Sequence, residues 1–391
     1  MGIGGGIVGL ESEMTVWRHH LHAHPETAFQ EWETSDFLAE KLGSFGLDVH
    51  RGIGRTGIVA TLVRGHGHRG AIGLRADMDA LNIQEENDLA YKSTVSGKMH
   101  ACGHDGHMAM LLGAAKHLAS DGRFSGTVNF IFQPAEETAG GAKTMLDDGL
   151  FQRFPVDSVF GLHNFPTLPE GSFATRSGIL MAAFDTFDIT IKGIGGHAGG
   201  MPPNLRDPLV AASHAVVMFQ SIVSRNIEPT DAAVLSVTEI KGGMSYNVIP
   251  DNVLLRGCSR HLQPHVQDIV ETRMKEVLNG LEISMGVSTD IRYQRECPAV
   301  INSTEETQAA VQAASVIAGS DNVYTDISPV MGSDDFALML ESVPGTYMVI
   351  GAGVPRANGT LHQPGFNFND RILSVGAGYW ITLVESLLPE K

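Results

Sequence analysis

The chain has 391 residues, of which 43% are hydrophobic and 18% are charged, as in an ordinary globular protein. This length exceeds the size at which one hydrophobic core usually stops growing, so the sequence predicts two domains. The formal net charge of −17 disfavours nucleic acids and anionic membranes as partners. No apolar run approaches the roughly 18 residues that a membrane-spanning helix requires.

The three cysteines, Cys102, Cys258 and Cys297, lie far apart and form no C-x-x-C pair. Their spacing predicts neither a disulfide framework nor a structural zinc site rich in sulfur. We therefore expect the protein in the cytoplasm, where a thiol that serves as a metal ligand stays reduced.

The first third of the chain begins with a helical segment, residues 11–45, and continues with two strands, residues 57–63 and 71–75. Asp77 and Asp79 follow the second strand directly. Proteins of the α/β class place active-site groups at the carboxyl ends of strands. Asp77 suits such a site, but it also suits a helix cap or a turn, and the spacing leaves both interpretations open.

The stretch around which the chain is organised is MHACGHDGHMAM, residues 99–110. Cys102 and His104 are separated by one residue, so in an extended segment their side chains point the same way. A helix over 105–118, with Asp105 near its start, holds this pair in place. A thiolate and an imidazole suit Zn²⁺, Co²⁺ or Ni²⁺ better than Ca²⁺ or Mg²⁺. The pattern predicts a catalytic metal site completed by histidines and carboxylates from elsewhere.

Two further strands end in side chains of metal-ligand type. The buried strand 127–132 leads to Glu136 and Glu137, and the strand 156–162 leads to His163. Adjacent carboxylates oppose each other's ionisation, and divalent cations would remove that cost. One glutamate then binds metal while its neighbour serves as a general base. The alternatives are two solvated loop acids and, at residue 163, a histidine of the core.

The second half of the chain changes in character from residue 184. Residues 184–294 predict the element order β-α-β-β-α-β, which is a complete small domain inserted into a larger one. The larger domain resumes with a helix over 304–318 and a strand over 346–350. His362 then stands in a loop before a closing helix at 372–388, and we expect it to be the last metal ligand.

Eight stretches distributed over nearly the whole chain match one known family in order. They are RADMDAL at 75–81, MHACGHDGH at 99–107, QPAEE at 133–137, GLHN at 161–164, GGHA at 195–198, NVIP at 247–250, GSDDF at 332–336 and LH at 361–362. Together they resemble the M20 metallopeptidase family. Within it they resemble the amidohydrolase branch of hippurate hydrolases, aminoacylases and auxin-conjugate hydrolases.

The resemblance implies a mixed-sheet, zinc-peptidase-like α/β catalytic domain at 1–182 and 297–391. It implies an inserted α+β domain at 183–296 that serves in dimerisation and as a lid. The catalytic domain would hold two divalent metal ions per subunit, Zn, Mn, Co or Ni. The implied ligands are Cys102, at the position of the bridging ligand, His104, Glu137, His163 and His362. Glu136 would be the general acid and base.

The resemblance also assigns residues outside the ligand set. His197 matches a histidine that reaches the active site of a neighbouring subunit, and Asn247 and Arg260 match positions that bind the substrate carboxylate. Asp77 matches an acidic position that supports the ligands. Asp334 is a departure, because the family commonly has glutamate there. A homodimer through the inserted domain is implied, with a tetramer as the larger alternative.

The predicted function is metal-dependent hydrolysis of the amide bond of N-acyl amino acids, small molecules of the aminoacylase or hippurate hydrolase type. Activated water would attack the amide, with Glu136 as general base. The alternatives on the same fold are a dipeptidase and an aminohydrolase of aromatic amines. A binding protein without catalysis is a third alternative, but such a protein should have lost Glu136 or a ligand, and all are present.

Overall fold

The computed structural model describes residues 9–65, 70–138, 140–200, 205–353 and 360–390. Within them the helices are α1 (Glu11–Ala23), α2 (Trp32–Ser44), α3 (His104–Ser120), α4 (Gly141–Asp147), α5 (Leu150–Arg153), α6 (Pro208–Asn226), α7 (Pro264–Met285), α8 (Thr304–Ala318), α9 (Phe336–Ser342) and α10 (Leu373–Leu387). Short 3₁₀ turns occur at Glu136–Thr138, Ser320–Asn322 and Asp370–Ile372.

The strands of the same residues also follow in chain order. They are β1 (Asp48–Ile53), β2 (Gly57–Arg64), β3 (Ala71–Asp77), β4 (Gly126–Gln133), β5 (Ser158–Phe165), β6 (Phe173–Ala174), β7 (Gly178–Met181), β8 (Ala183–Lys192), β9 (Gly196–His197), β10 (Ala233–Lys241), β11 (Val248–Ile249), β12 (Asn252–His261), β13 (Ser288–Cys297), β14 (Val300–Asn302), β15 (Val323–Tyr324) and β16 (Gly345–Gly351).

The chain forms two compact units. The first consists of Met1–Leu180, Val300–Ser328 and Asp334–Lys391, and the second of Met181–Ala299 and Pro329–Ser333. The first unit contains an eight-stranded sheet in the order β1-β2-β4-β3-β5-β16-β6-β15. Strand β3 runs parallel to both β4 and β5, whereas β2 pairs with β4 in the antiparallel sense. The predicted mixed-sheet α/β class is confirmed.

Helix α3 is the central helix of the first unit. Residues 104–115 of this helix are all buried, which is expected of a helix that is packed on every side. Glycines allow this close packing, because a Cβ at Gly106 would lie 2.3 Å from the Phe368 ring and one at Gly113 would lie 2.2 Å from the Met14 sulfur. The helix therefore holds the residues at its start in a rigid, buried setting.

The second unit contains a four-stranded antiparallel sheet in the order β10-β12-β8-β13. Every second residue of β8, from Phe187 to Ile191, packs into a core with helices α6 and α7, so the opposite face of the strand carries the alternate residues. The predicted order β-α-β-β-α-β is confirmed, with the short pair β9 and β11 added. Among the described residues no helix has both the length and the apolar character needed to cross a bilayer.

Candidate active site

The candidate site begins at one edge of the large sheet. Because β3, β4 and β5 run parallel, their carboxyl ends lie side by side. Asp79 follows β3, Glu136 and Glu137 follow β4, and His163 lies near the end of β5. The sheet therefore collects acids and a histidine that are up to 84 positions apart in the numbering of the chain.

The start of α3 brings Cys102 and His104 to the same edge. Gly103 lies between them in the left-handed conformation, with φ of 98°, which glycine adopts without strain. A side chain at this position has no room, because a Cβ would lie 2.4 Å from Asn164 Oδ1. The motif thus turns sharply into the helix at Gly103, between the two ligand-type residues.

The five predicted metal ligands converge here. The Cys102 sulfur lies 3.4 Å from His163 Nε2 and 3.3 Å from His362 Nε2. Glu137 Oε1 lies 3.4 Å from His362 Nε2 and 3.9 Å from His104 Nε2. His362 itself has a φ of 62°, in the left-handed region. Its backbone N–H donates to the carbonyl of Ala101 at 2.8 Å, next to Cys102. Residues 260 positions apart in the chain are thereby joined.

The buried histidines present lone pairs to the cluster. His104 Nδ1 donates to the carbonyl of Asp79 at 2.8 Å, and His163 Nδ1 donates to the carbonyl of Asn164 at 2.7 Å. Since a carbonyl only accepts, each Nδ1 carries the proton, and in the neutral ring Nε2 keeps its lone pair. Metal-binding histidines are oriented in this way by the groups behind them.

Two buried atoms in the cluster have no hydrogen-bond partner, His104 Nε2 and Glu137 Oε1. Burial and the nearby Asp79 and Asp77 raise the pKa of Glu137 to about 7, although His104 opposes the shift. Unpartnered buried polar atoms and crowded carboxylates are costly in a protein interior. A divalent cation that binds a thiolate, imidazoles and a carboxylate would satisfy both atoms, so the residues present fit such an ion.

Glu136 lies beside the cluster. One of its carboxylate oxygens is 3.9 Å from His104 Nε2. Its pKa is raised by burial and by the negative charges of Asp334 and Glu137. Asp79 fixes the turn, because its two carboxylate oxygens accept the backbone N–H groups of Glu136 at 2.9 Å and of Glu137 at 3.1 Å. The sequence placed Asp79 at this strand end but gave no sign that it would bind the neighbouring turn.

Asp77 belongs to a buried network behind the cluster. Arg75 donates to Asp77 at 2.8 Å and to Asp334 at 3.0 Å, and Asp77 Oδ1 lies 2.6 Å from His107 Nδ1. His107 and Asp77 could form a second set of metal donors with His104 and His163. Both ring nitrogens of His107 and both oxygens of Asp77 already have partners, which favours the set that contains Cys102.

Three predicted site residues lie in the second unit. His197 in β9 pairs with Val248 in β11, and the carbonyl of Asn247 accepts the N–H of Ala198 at 3.0 Å. His197 and Asn247 are therefore neighbours, and both are exposed. Arg260 lies separately, near the end of β12.

Arg260 is held on two sides. Its Nη1 donates to the carbonyl of Met331 and to Ser333 Oγ, each at 3.0 Å, and its guanidinium carbon lies 4.5 Å from the centre of the Phe184 ring. These contacts give the guanidinium of Arg260 a fixed orientation. The sequence did not predict Met331 and Ser333 as its partners, which lie 71 and 73 residues after Arg260 in the chain.

The mixed sheet and the histidine, cysteine and carboxylate cluster define a metallohydrolase type of protein. The chain belongs to the family described as peptidase family M20/M25/M40, whose model matches residues 73–386. It is 39% identical to a hippurate hydrolase of Campylobacter jejuni, over 96% of this chain and 97% of that one. It is 39% identical to an N-acetylcysteine deacetylase of Bacillus subtilis, over 95% of this chain and 96% of that one.

A solved structure from Bacillus subtilis, described as a dinuclear metal-binding peptidase of the M20 family, shares the fold with a TM-score of 0.82. It is 34% identical to this chain, and the match covers 97% of this chain and 99% of that one. The predicted resemblance to the amidohydrolase branch of the M20 family is confirmed, as is the predicted enzyme class, a hydrolase of amide bonds.

Proposed function

We propose that this protein is a metal-dependent amidohydrolase that cleaves the amide bond of N-acyl amino acids. The observation that carries the proposal is the convergence of Cys102, His104, Glu137, His163 and His362 around unpartnered buried atoms. Glu136, which is not needed as a ligand, lies within reach of the same cluster. This combination suits hydrolysis by activated water.

The five converging residues would hold two divalent cations, and the Cys102 sulfur contacts both His163 and His362 within this set. When bound, such ions polarise an amide carbonyl and lower the pKa of water toward neutrality. The thiolate and imidazoles favour Zn²⁺, Co²⁺ or Ni²⁺, and Mn²⁺ is the further candidate from the family resemblance. The Cys102 thiol, which is not in a disulfide, suits the reducing cytoplasm.

Glu136 would accept the proton of the attacking water on its carboxylate and return that proton to the amine that leaves. Its pKa is raised by burial and by Asp334 and Glu137, and a higher pKa makes the carboxylate a better acceptor of the proton of water. The Asp79 carboxylate accepts the backbone N–H groups of both Glu136 and Glu137. It would thereby fix the backbone of the turn, so that Glu137 serves as a ligand while Glu136 carries the proton.

The substrate class follows from the relatives and from Arg260. Hippurate and N-acetylcysteine, which the two relatives are named for, are both amino acids with an acyl group on nitrogen. Arg260 would bind the free carboxylate of such a substrate, because Met331, Ser333 and Phe184 fix its guanidinium while the rest of its donors remain available. His197 and Asn247 would complete the recognition of the substrate.

The predicted division into a catalytic domain, 1–182 with 297–391, and a dimerisation domain, 183–296, stays a proposal. In its support, strand β10 lies at one edge of the sheet of the second unit, and Ile240 on this strand is exposed. Val217 on α6 and Tyr246 are also largely exposed. An open strand edge with exposed apolar side chains suits pairing with a second copy of the chain. A solution mass of one chain at micromolar concentration would rule out the homodimer.

The experiment that tests the function measures amine release from N-acetyl, N-benzoyl and long-chain N-acyl amino acids, with dipeptides and aromatic amines in parallel. EDTA-treated enzyme is reconstituted separately with Zn²⁺, Mn²⁺, Co²⁺ and Ni²⁺. We expect no turnover after EDTA and hydrolysis of N-acyl amino acids after metal return. Hydrolysis of dipeptides or aromatic amines alone would overturn the substrate class. If the metal-loaded enzyme releases amine from none of the substrates, a binding protein is favoured instead.

A further inference from the structure

The turn that carries Glu136 begins with an unusual residue. Ala135 has φ of 51°, in the left-handed region that residues other than glycine rarely adopt. Such a conformation persists only where the surrounding structure imposes it. Here three consecutive backbone N–H groups donate to carboxylates. Those of Glu136 and Glu137 donate to Asp79, and that of Ala135 donates to Glu31 Oε1 at 2.9 Å.

Glu31 comes from a distant part of the chain, 104 residues before Ala135. It occupies the N-cap position of α2, yet its side chain does not cap that helix. Instead the fully buried carboxylate accepts from Ala135 N–H and, through its other oxygen, from the hydroxyl of Thr56 at 2.6 Å. Among the contacts of the described residues no arginine, lysine or histidine pairs with Glu31.

The contact with Glu31 matters because of the surroundings of Ala135. Ala135 is fully buried, and its carbonyl accepts from the backbone N–H groups of Gly140 and Gly141. A Cβ at Gly141 would lie 1.5 Å from the Pro134 carbonyl oxygen, so the turn is closed tightly on that side. Without Glu31 the N–H of Ala135 would be buried and unpaired.

We propose that Glu31 is a positioning residue of the reaction, because it holds Ala135 in the left-handed conformation and so aims the carboxylate of Glu136. The inference rests on the proposed function, in which Glu136 carries the proton. Glu31 touches neither the five ligands nor Glu136, and it acts through the backbone of the preceding residue. Its loss should therefore lower the rate of the chemical step and leave substrate binding and metal content unchanged.

The test compares Glu31→Ala with Glu31→Gln in the metal-loaded enzyme, using an N-acyl amino acid that the wild type cleaves. We expect Glu31→Ala to lower kcat by about 10- to 100-fold, the range that small displacements of a catalytic group produce, with KM changed by less than about twofold. Glu31→Gln should recover most of the rate, because its amide oxygen can accept from Ala135 and its amide nitrogen can donate to Thr56. Metal content should stay at the wild-type value in both.

Glu282→Ala is the matched control. In the second unit the Glu282 carboxylate also accepts one backbone N–H and one hydroxyl, both from Thr289. We expect this variant to keep the wild-type kcat. An unchanged kcat in Glu31→Ala would overturn the proposal, and so would a loss that Glu282→Ala matches or that accompanies loss of metal. If Glu31→Ala does not fold, Glu31→Asp serves instead, because its carboxylate is one methylene shorter and is drawn away from the N–H of Ala135, and a wild-type kcat in it would overturn the proposal.

Glu136→Gln, measured alongside, separates this inference from the proposed function. A wild-type rate in Glu136→Gln would remove Glu136 from the reaction and overturn the proposed mechanism, whatever Glu31→Ala shows. An inactive Glu136→Gln together with a fully active Glu31→Ala would leave the mechanism standing and overturn only the role of Glu31.

Discussion

Each unit buries an acidic group beside histidine, but the two clusters differ in how the carboxylate oxygens are satisfied. In the second unit the fully buried Asp185 accepts from Tyr293 at 2.6 Å, Gln267 at 2.7 Å and Ser259 at 3.3 Å, and it lies 3.1 Å from His261 Nε2. In the first unit Glu137 Oε1 is buried without a partner. Each cluster also holds a buried imidazole nitrogen without a partner, His104 Nε2 in the first unit and His261 Nδ1 in the second, so the contrast lies in the acids.

The difference shows how a structural acid cluster can be told from one built for a cation. Neutral donors supply the stabilisation that Asp185 needs within the protein itself. At Glu137 the surrounding groups are other acids and imidazole nitrogens, and a divalent cation from outside would supply the missing partner. The number of hydrogen-bond donors that reach a buried acid therefore says more about whether that acid binds a cation than the presence of acids and histidines together.

The largest effect that would test this comparison is the loss of Glu136, the proposed general base. Glu136→Gln should keep both metal ions and the fold but lower kcat by about 10²- to 10⁴-fold, the usual contribution of a positioned proton acceptor. The measurement is steady-state hydrolysis of an N-acyl amino acid, with metal content determined on the same sample. If the variant loses metal together with activity, Glu136 is a metal ligand, as is proposed for Glu137, and not a separate general base.

Much of the first cluster could be predicted from the sequence, because ligand-type side chains follow consecutive strands and crowd into the MHACGHDGHMAM stretch. The partners that hold those side chains could not. Glu31 and Asp79 act by accepting backbone N–H groups, and every residue offers such a group, so no residue type in the sequence marks the contact. The same holds for Arg260, which donates to the Met331 carbonyl.

The α/β class and the β-α-β-β-α-β unit followed from hydrophobic periodicity, which records which face of an element is buried. Periodicity does not record that residues 329–333 return to the second unit, where the carbonyls of Val330 and Gly332 accept the N–H of Ala182. That return depends on backbone contacts between segments about 150 residues apart in the numbering of the chain. The roles of Arg260, Asn247 and His197 stay predictions.

A smaller effect is expected from the arginine at the end of β12. Arg260→Ala should lower kcat/KM for an N-acyl amino acid by about 10- to 100-fold, the value of a charge-assisted hydrogen bond. The corresponding N-acyl amino acid amide, which lacks the carboxylate, should be affected far less. Both substrates are measured with each variant under metal saturation.

Arg256→Ala is the control for this variant, because Arg256 lies on the same strand and pairs with Asp188 and Glu239 at the surface. It should not distinguish the two substrates. Equal losses on acid and amide in Arg260→Ala would mean that Arg260 supports the loop of Met331 and Ser333 and does not recognise the carboxylate.

The smallest effect on activity is expected at Asp185. Asp185→Asn replaces one carboxylate oxygen with an NH2 group, which cannot accept from Gln267 on one side or from Tyr293 and Ser259 on the other. The free energy of unfolding of the second unit should therefore fall by about 1 to 3 kcal/mol. Chemical denaturation measures that loss, and Asp188→Asn, a change at a partly exposed residue of the same strand, provides the control. Because neutral donors satisfy Asp185, the variant should retain its metal ions and turnover. A loss of metal in Asp185→Asn would show that the number of hydrogen-bond donors to a buried acid does not distinguish the two clusters.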